Sequence, residues 1–346
     1  MTTTNGTTNG SAAPHRLWAN GPSVPLTTPF VAGGEEVDHE ALAKQVVRIA
    51  KAGLGIVLLG TTGEASHMSH SERKAATATA RKALDDAGLT DVPLCVGTGG
   101  GSLKTTIELC NDAAEAGASH CIVICPGYFS FAMGRDKTAI LGFFKGVFDR
   151  SPLPVMIYNF PGAASGIDLN SDDISELAEH PNCFGVKLTC GAVGKGQRIA
   201  TYTQTPEYLA RRGNSLKAST VTGQFQVLPG FSESLLPTLL GRHTGCITGT
   251  GGIIPKTVRK LYDTAVKGLQ GDSKALSEAV DLQEKVAAAD WISIKTGVQG
   301  TKYALDTYIE KNLGGDWRSP LGPLTPAVKE MIDVDLKPFM EFEASL

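Results

Sequence analysis

No apolar run in the sequence reaches the ~18 residues or more that would span a bilayer, so no transmembrane helix is expected. Charge of one sign is also lacking: 32 basic and 35 acidic residues leave a formal net charge of −3. That balance excludes the strong field by which nucleic acid or an anionic membrane is held. Aromatic residues are few, at 6%. No two cysteines stand at Cys-x-x-Cys spacing. The seven cysteines (Cys95, Cys110, Cys121, Cys125, Cys183, Cys190 and Cys246) are an odd number scattered through apolar segments. They read as reduced core thiols of a cytoplasmic protein, and not as disulfides or a zinc site. Met1 to Ser11 repeats Thr, Asn and Gly, without the basic and apolar regions of a signal peptide. Residues 1–20 are therefore expected to be a disordered polar tail, in which the glycosylation-like Asn5-Gly6-Thr7 and Asn9-Gly10-Ser11 carry no meaning without secretion.

Glycine is plentiful, with 40 residues, and apolar residues make up 42% of the chain. This suits an α/β fold with many tight strand–helix turns. Short apolar runs closed by Gly, Thr, Pro or a polar residue alternate with amphipathic helix patterns. Eight runs predict strands: Val24 to Phe30, Gly55 to Leu59, Pro93 to Val96, His120 to Ile124, Pro154 to Ile157, Phe184 to Val186, Phe225 to Leu228 and Gly245 to Thr248. Eight strands at this spacing predict an α/β (β/α)8 TIM barrel over residues 21–268, since a doubly wound sheet needs fewer strands and a switch point. Ser69-His70-Ser71-Glu72 is a capping box opening a helix over 73–87. Helical patterns at 273–289 and 295–311 predict a C-terminal helical extension over 269–346.

Lys187 stands at the end of the sixth apolar run, where a lysine is out of place. A buried ammonium must find a partner or lose its proton. A lysine that reacts as the neutral amine is the nucleophile of Schiff-base chemistry. A snorkelling or salt-bridged lysine would fit the local sequence equally well. The other strand ends argue for the reactive reading, because barrel chemistry sits there. They carry Thr61, Thr62, Tyr128 and Tyr158. A tyrosine can shuttle the protons that imine chemistry moves, and a Gly-Thr-Thr-Gly turn offers N–H and hydroxyl groups to a carboxylate. His67-x-x-His70 lacks accompanying ligands for a metal site. The glycine run 97–101 lacks the Lys-Ser/Thr ending of a phosphate loop, and Ser102 reads as a helix cap. The run 249–252 follows strand eight, where many barrels hold phosphate, but a loop that shapes the pocket is favoured over a phosphate site.

Gly60-Thr61-Thr62-Gly63-Glu64, Tyr158-Asn159-x-Pro161-Gly162 and Gly185-Val186-Lys187-x-Thr189 fall in order at strands two, five and six. Together they resemble the dihydrodipicolinate synthase/N-acetylneuraminate lyase superfamily of class I, pyruvate-type aldolases, over residues of about 22 to 330. The resemblance implies Lys187 as Schiff-base lysine, Tyr158 as general acid/base, and Thr61 and Thr62 as the carboxylate and proton-relay turn, with Gly63 beside them. It implies that Tyr128 reaches a neighbouring subunit's site in a homodimer or homotetramer, and that no cofactor or metal is needed. Gly230, Ser232, Thr248 and Ser165 are the expected lining of the rest of the pocket, and Glu64 is expected to brace the turn. The segment after Tyr158-Asn159 reads Pro161-Gly162-Ala163-Ala164-Ser165-Gly166, without the arginine that binds the second substrate in dihydrodipicolinate synthases. That argues against lysine biosynthesis. The Gly185–Gly191 segment with Lys195 resembles the fungal branch of 2-keto-3-deoxy-L-galactonate and 4-hydroxy-2-oxoglutarate aldolases. The implied reaction cleaves a 4-hydroxy-2-oxo acid to pyruvate and an aldehyde, or runs in reverse. Imine-based dehydration, a biosynthetic pyruvate–aldehyde condensation and a non-catalytic binding barrel are the alternatives.

Overall fold

Apolar runs rich in Val, Ile and Leu, each closed by glycine, proline or a polar residue, become eight short parallel strands. The computed structural model describes residues 16–133 and 137–346. The strands are β1 (Gly21–Pro25), β2 (Gly55–Leu58), β3 (Leu94–Gly97), β4 (His120–Ile124), β5 (Val155–Asn159), β6 (Cys183–Leu188), β7 (Gln226–Pro229) and β8 (Gly245–Ile247). Neighbours in sequence pair in parallel, and β1 also pairs with β8. The circle closes where the Thr244 N–H, just before β8, donates to the Val227 carbonyl of β7 at 3.1 Å. This is the expected (β/α)8 barrel.

The first strand is placed differently from its apolar run. The ladder covers Gly21–Pro25 and stops before Phe30. Pro25 and Pro29 have no N–H to give. Beyond Leu26 the side chains take over: Thr27 bonds Gln45 Oε1 at 3.0 Å, and Thr28 donates to the Gly63 carbonyl at 2.7 Å. The polar tail also ends earlier than its composition suggests. Residues 1–15, with both glycosylation-like motifs, lie outside the described residues, but Arg16 to Asn20 are packed against the barrel. Trp18 is 1% exposed, and its backbone N–H donates to the Ser219 carbonyl at 3.0 Å. Its indole meets His120 and Phe184, each at a ring-centroid distance of 5.9 Å. Burying so large an apolar ring outweighs the ordering cost of the residues around it.

Two apolar layers result. Trp18, Val57, Ile122, Met156, Phe184, Leu228 and Ile247 fill the barrel interior. A larger layer lies between the strands and the surrounding helices. The capping box forms as expected, with Ser69 and Glu72 closing the start of helix His70–Asp86. The two expected C-terminal helices are one, Ser273–Tyr308, broken at Gly297 (φ 63°, ψ −151°). Glycine is the residue that takes such a conformation without a Cβ clash. Helices Pro326–Asp335 and Lys337–Ser345 follow. Glu343 returns to the barrel, accepting from the N–H groups of Lys256 (2.9 Å) and Thr257 (2.8 Å) at the start of helix Pro255–Leu269. Among the described residues, no helix is long and apolar enough to cross a membrane.

Candidate active site

Strand pairing places the two central candidates side by side: Tyr158 of β5 stands in register with Lys187 of β6. Both residues are 6% exposed. Lys187 Nζ lies 4.5 Å from the Tyr158 ring centroid. Tyr158 Oη is 3.3 Å from Thr61 Oγ1, which connects the phenol to the turn after β2. No hydrogen bond or ion pair engages Lys187 among the described residues, so its head faces the cavity with an aromatic face as its main neighbour. The cavity has two lobes, of about 290 and 260 Å³, which share Pro25, Thr61, Tyr158, Lys187 and Val298.

The residue after Tyr158 is held rigidly. Asn159 is fully buried; its amide donates to Asp168 Oδ1 at 2.7 Å and its oxygen accepts from Leu169 N at 3.0 Å. Lys195 also donates to Asp168. Burial alone would raise the Asp168 pKa, but the bonds from Lys195 and Asn159 outweigh it and hold the carboxyl below the usual aspartate range.

The Thr61–Glu64 turn is braced from a distance. Glu64 has a left-handed backbone (φ 51°), and its carboxylate is buried. Oε1 accepts from Lys302 Nζ at 2.6 Å, and Oε2 accepts from Arg318 N at 3.0 Å and contacts His67 Nδ1 at 3.1 Å. Glu64 therefore braces the turn as expected, but its partners Lys302 and Arg318 lie in the C-terminal extension. Both cations lie over the Phe30 ring, Lys302 Nζ at 4.6 Å and the Arg318 guanidinium at 4.3 Å from its centroid. Burial lowers the Lys302 pKa against the upward pull of Glu64.

The remaining candidates divide. Thr62 and Gly230 border the second lobe. Gly230 is required there, because a Cβ would lie 2.1 Å from Thr189 Oγ1. Gly63 is buried behind the turn with its carbonyl taken by Thr28. Ser232 and Thr248 are not free pocket groups: their hydroxyls bond each other at 2.9 Å, and Asp290 Oδ2 accepts from Ser232 N (2.6 Å), Ser232 Oγ (2.9 Å) and Glu233 N (2.8 Å). Thr250 donates to the other oxygen of Asp290. Burial raises the Asp290 pKa despite these bonds. Ser165 is exposed, with φ 51°, and outside both lobes; Ala163 of the same segment lines the first lobe instead. Tyr128 is 83% exposed and is not brought to the cavity within this chain. His67 and His70 serve different carboxylates, Glu64 and Asp112. Among the described residues, no group of three or more potential ligands could hold a metal ion.

Sequence reasoning missed Asp290, Ser293, Val298 and Lys302, all on helix Ser273–Tyr308. One signal was available: Asp290 follows Leu282 and Val286 at four-residue spacing, on the buried stripe of its helix.

The sequence profile of the dihydrodipicolinate synthetase family matches residues 19–338. The chain belongs to this family. Among its relatives, an L-threo-3-deoxy-hexylosonate aldolase of Aspergillus niger is 35% identical over 93% of this chain and 95% of its own length. A mitochondrial 4-hydroxy-2-oxoglutarate aldolase of Emericella nidulans is 40% identical over 84% of this chain and 87% of its own. A crystal structure of a dihydrodipicolinate synthase family protein from Coccidioides immitis superposes with a TM-score of 0.78 at 32% identity, covering 96% of this chain and 99% of that one. Within the dihydrodipicolinate synthetase family, this chain therefore stands with the carbon–carbon lyases, as a class I pyruvate-type aldolase.

Proposed function

We propose that Lys187 forms a Schiff base with a 4-hydroxy-2-oxo acid and that Tyr158 moves the protons of its cleavage. The observation that carries this reading is the pairing of a buried, unpaired lysine with a tyrosine on the adjacent strand, joined to the Thr61 hydroxyl. The neutral Lys187 amine attacks the C2 ketone, and loss of water leaves a protonated imine. Tyr158 takes the C4 hydroxyl proton, directly or through Thr61. The C3–C4 bond breaks, its electrons enter the imine to form an enamine, and the aldehyde leaves. Protonation at C3 and hydrolysis release pyruvate and restore the amine. Addition of pyruvate to an aldehyde retraces these steps. Thr62 and the turn hold the substrate carboxylate.

Borohydride trapping tests this directly. The protein incubated with pyruvate and reduced should gain one pyruvate-derived adduct, located at Lys187 by peptide mass and absent from Lys187→Ala. An unmodified wild-type mass at saturating pyruvate would refute the imine mechanism.

A homodimer or homotetramer belongs to the same proposal. Tyr128 (83% exposed), Phe129 (57%) and Phe131 (82%) form an exposed aromatic group after β4, of the kind that oligomers cover. Light scattering of the purified chain tests it, and a monomeric mass at working concentration would overturn it. A cytoplasmic location is likewise proposed, on the strength of the free cysteines. Imaging of the tagged chain checks it, since one relative is named mitochondrial.

A further inference from the structure

On the outside of the barrel, helices His39–Lys51, Pro255–Leu269 and Lys337–Ser345 border a groove of about 1030 Å³. It is larger than either lobe of the active-site cavity and shares no lining residue with them. The chain as a whole carries a net charge of −3. This groove has the opposite sign, with six cations (Arg48, Lys51, Lys256, Arg259, Lys260 and Lys267) against three carboxylates. The carboxylates are already engaged. Asp263 holds Arg259 at 2.8 Å, and Glu278 holds Lys260 at 3.1 Å. Glu343 accepts from the N–H groups at the start of helix Pro255–Leu269. Lys51, Lys256 and Lys267 have no ion-pair partner among the described residues.

Arg48 is the fourth cation without a carboxylate bonded to it. One of its terminal nitrogens donates to the Gly252 carbonyl, while its Nε is buried from water and has no protein partner. Buried donors are normally satisfied, and leaving one unmade is costly. Burial lowers the Arg48 pKa to about 10, against a weaker upward pull from Glu343. An anion in the groove would relieve that strain on the charged form.

The unpaired cations are also spread out. Lys256 and Lys267 stand eleven positions apart on one helix, or about 16 Å at its ordinary rise. One small anion cannot reach both. Between them the groove is apolar, with Ile253, Pro255, Ile309 and Met340 along it. Tyr308 adds an aromatic wall, fixed by its hydroxyl bond to the Asp333 carbonyl at 2.9 Å. The matching ligand is elongated, bears several negative charges and has a flat apolar part. Lysine and arginine are the side chains that hold phosphate. We infer that this groove is a binding site for a nucleoside polyphosphate, with its phosphates among Arg48 and the unpaired lysines and its base against the apolar wall.

Calorimetric titration of the full chain with ATP, at low salt and without divalent metal, tests the inference. One ATP should bind per chain, and affinity should fall as salt is raised. Inorganic tripolyphosphate should bind more weakly than ATP, and adenosine should not bind. Lys51→Ser combined with Lys267→Ser should weaken ATP about tenfold. Lys82→Ser, which removes an exposed lysine of helix His70–Asp86, should leave it unchanged. Saturating pyruvate should not displace ATP, because the groove and the active-site cavity are separate. No binding at millimolar ATP overturns the inference. So does wild-type affinity in the double variant, or an equal loss in Lys82→Ser, which would mark a diffuse charge effect. Displacement by pyruvate would place ATP in the active-site cavity instead, and tripolyphosphate binding as tightly as ATP would refute the nucleoside assignment.

Discussion

Lys187, at the end of β6, and Lys302, on the C-terminal helix, are both buried, and each ammonium lies over an aromatic ring, at 4.5 Å from Tyr158 and 4.6 Å from Phe30. Their remaining surroundings are opposite. Lys302 donates to Glu64 and to the Asp316 carbonyl, both at 2.6 Å. Lys187 makes no hydrogen bond or ion pair among the described residues and borders open space. Burial alone thus does not mark a reactive lysine. A satisfied ammonium stabilises structure, whereas an unsatisfied one beside a cavity is available for chemistry.

Substitutions should separate the two lysines. Lys187→Ala should abolish turnover while its melting temperature stays near that of the wild type; a collapsed fold would mean that Lys187 is structural after all. Tyr158→Phe should lower kcat by about 10²- to 10⁴-fold, with the pyruvate adduct still forming at Lys187. Unchanged kcat would move the proton transfer elsewhere. Lys302→Met should reverse the Lys187 pattern: the adduct survives, but stability falls by about 3–5 kcal/mol in denaturant titrations, because the buried Glu64 carboxylate loses its lysine partner. Its substrate KM should rise as the Thr61–Glu64 turn loosens. The smallest effect belongs to the rim of the same clamp. Hydrogen bonds from Arg318 first, and then from Ser69, lower the Glu72 pKa to about 2. A lowered carboxylate stabilises the fold above its unfolded pKa and loses that contribution as pH falls through its folded value. Glu72→Gln should therefore cost about 1 kcal/mol or less at pH 7, given its partial exposure, and the gap to wild type should close between about pH 4.5 and 2.

The strand-end half of the site was legible because its signals are local. An apolar run interrupted by Lys187, a tyrosine ending the preceding run and a Gly-Thr-Thr-Gly turn are each visible within a few residues. The barrel was legible for the same reason, from eight repeats of one pattern. The helix half was not. Asp290 reaches Ser232 across 58 positions, and nothing around Ser232 announces that its hydroxyl is already engaged. Ser165 shows the converse: it sits in the right segment, but the tight turn after Pro161 presents Ala163 to the cavity instead. Trp18 was hidden by the polar tail before it, and β1 was misplaced because its ladder ends at Pro25, after which the side chains of Thr27 and Thr28 take up the bonding.

Glu64 and Lys302 are 238 positions apart. During synthesis the chain emerges in order, and domains fold largely as they appear. All eight strands are complete at Ile247, well before Lys302 leaves the ribosome. Until the long helix and the segment after it have emerged, the Thr61–Glu64 turn lacks the Lys302 and Arg318 groups that hold Glu64 in the folded protein.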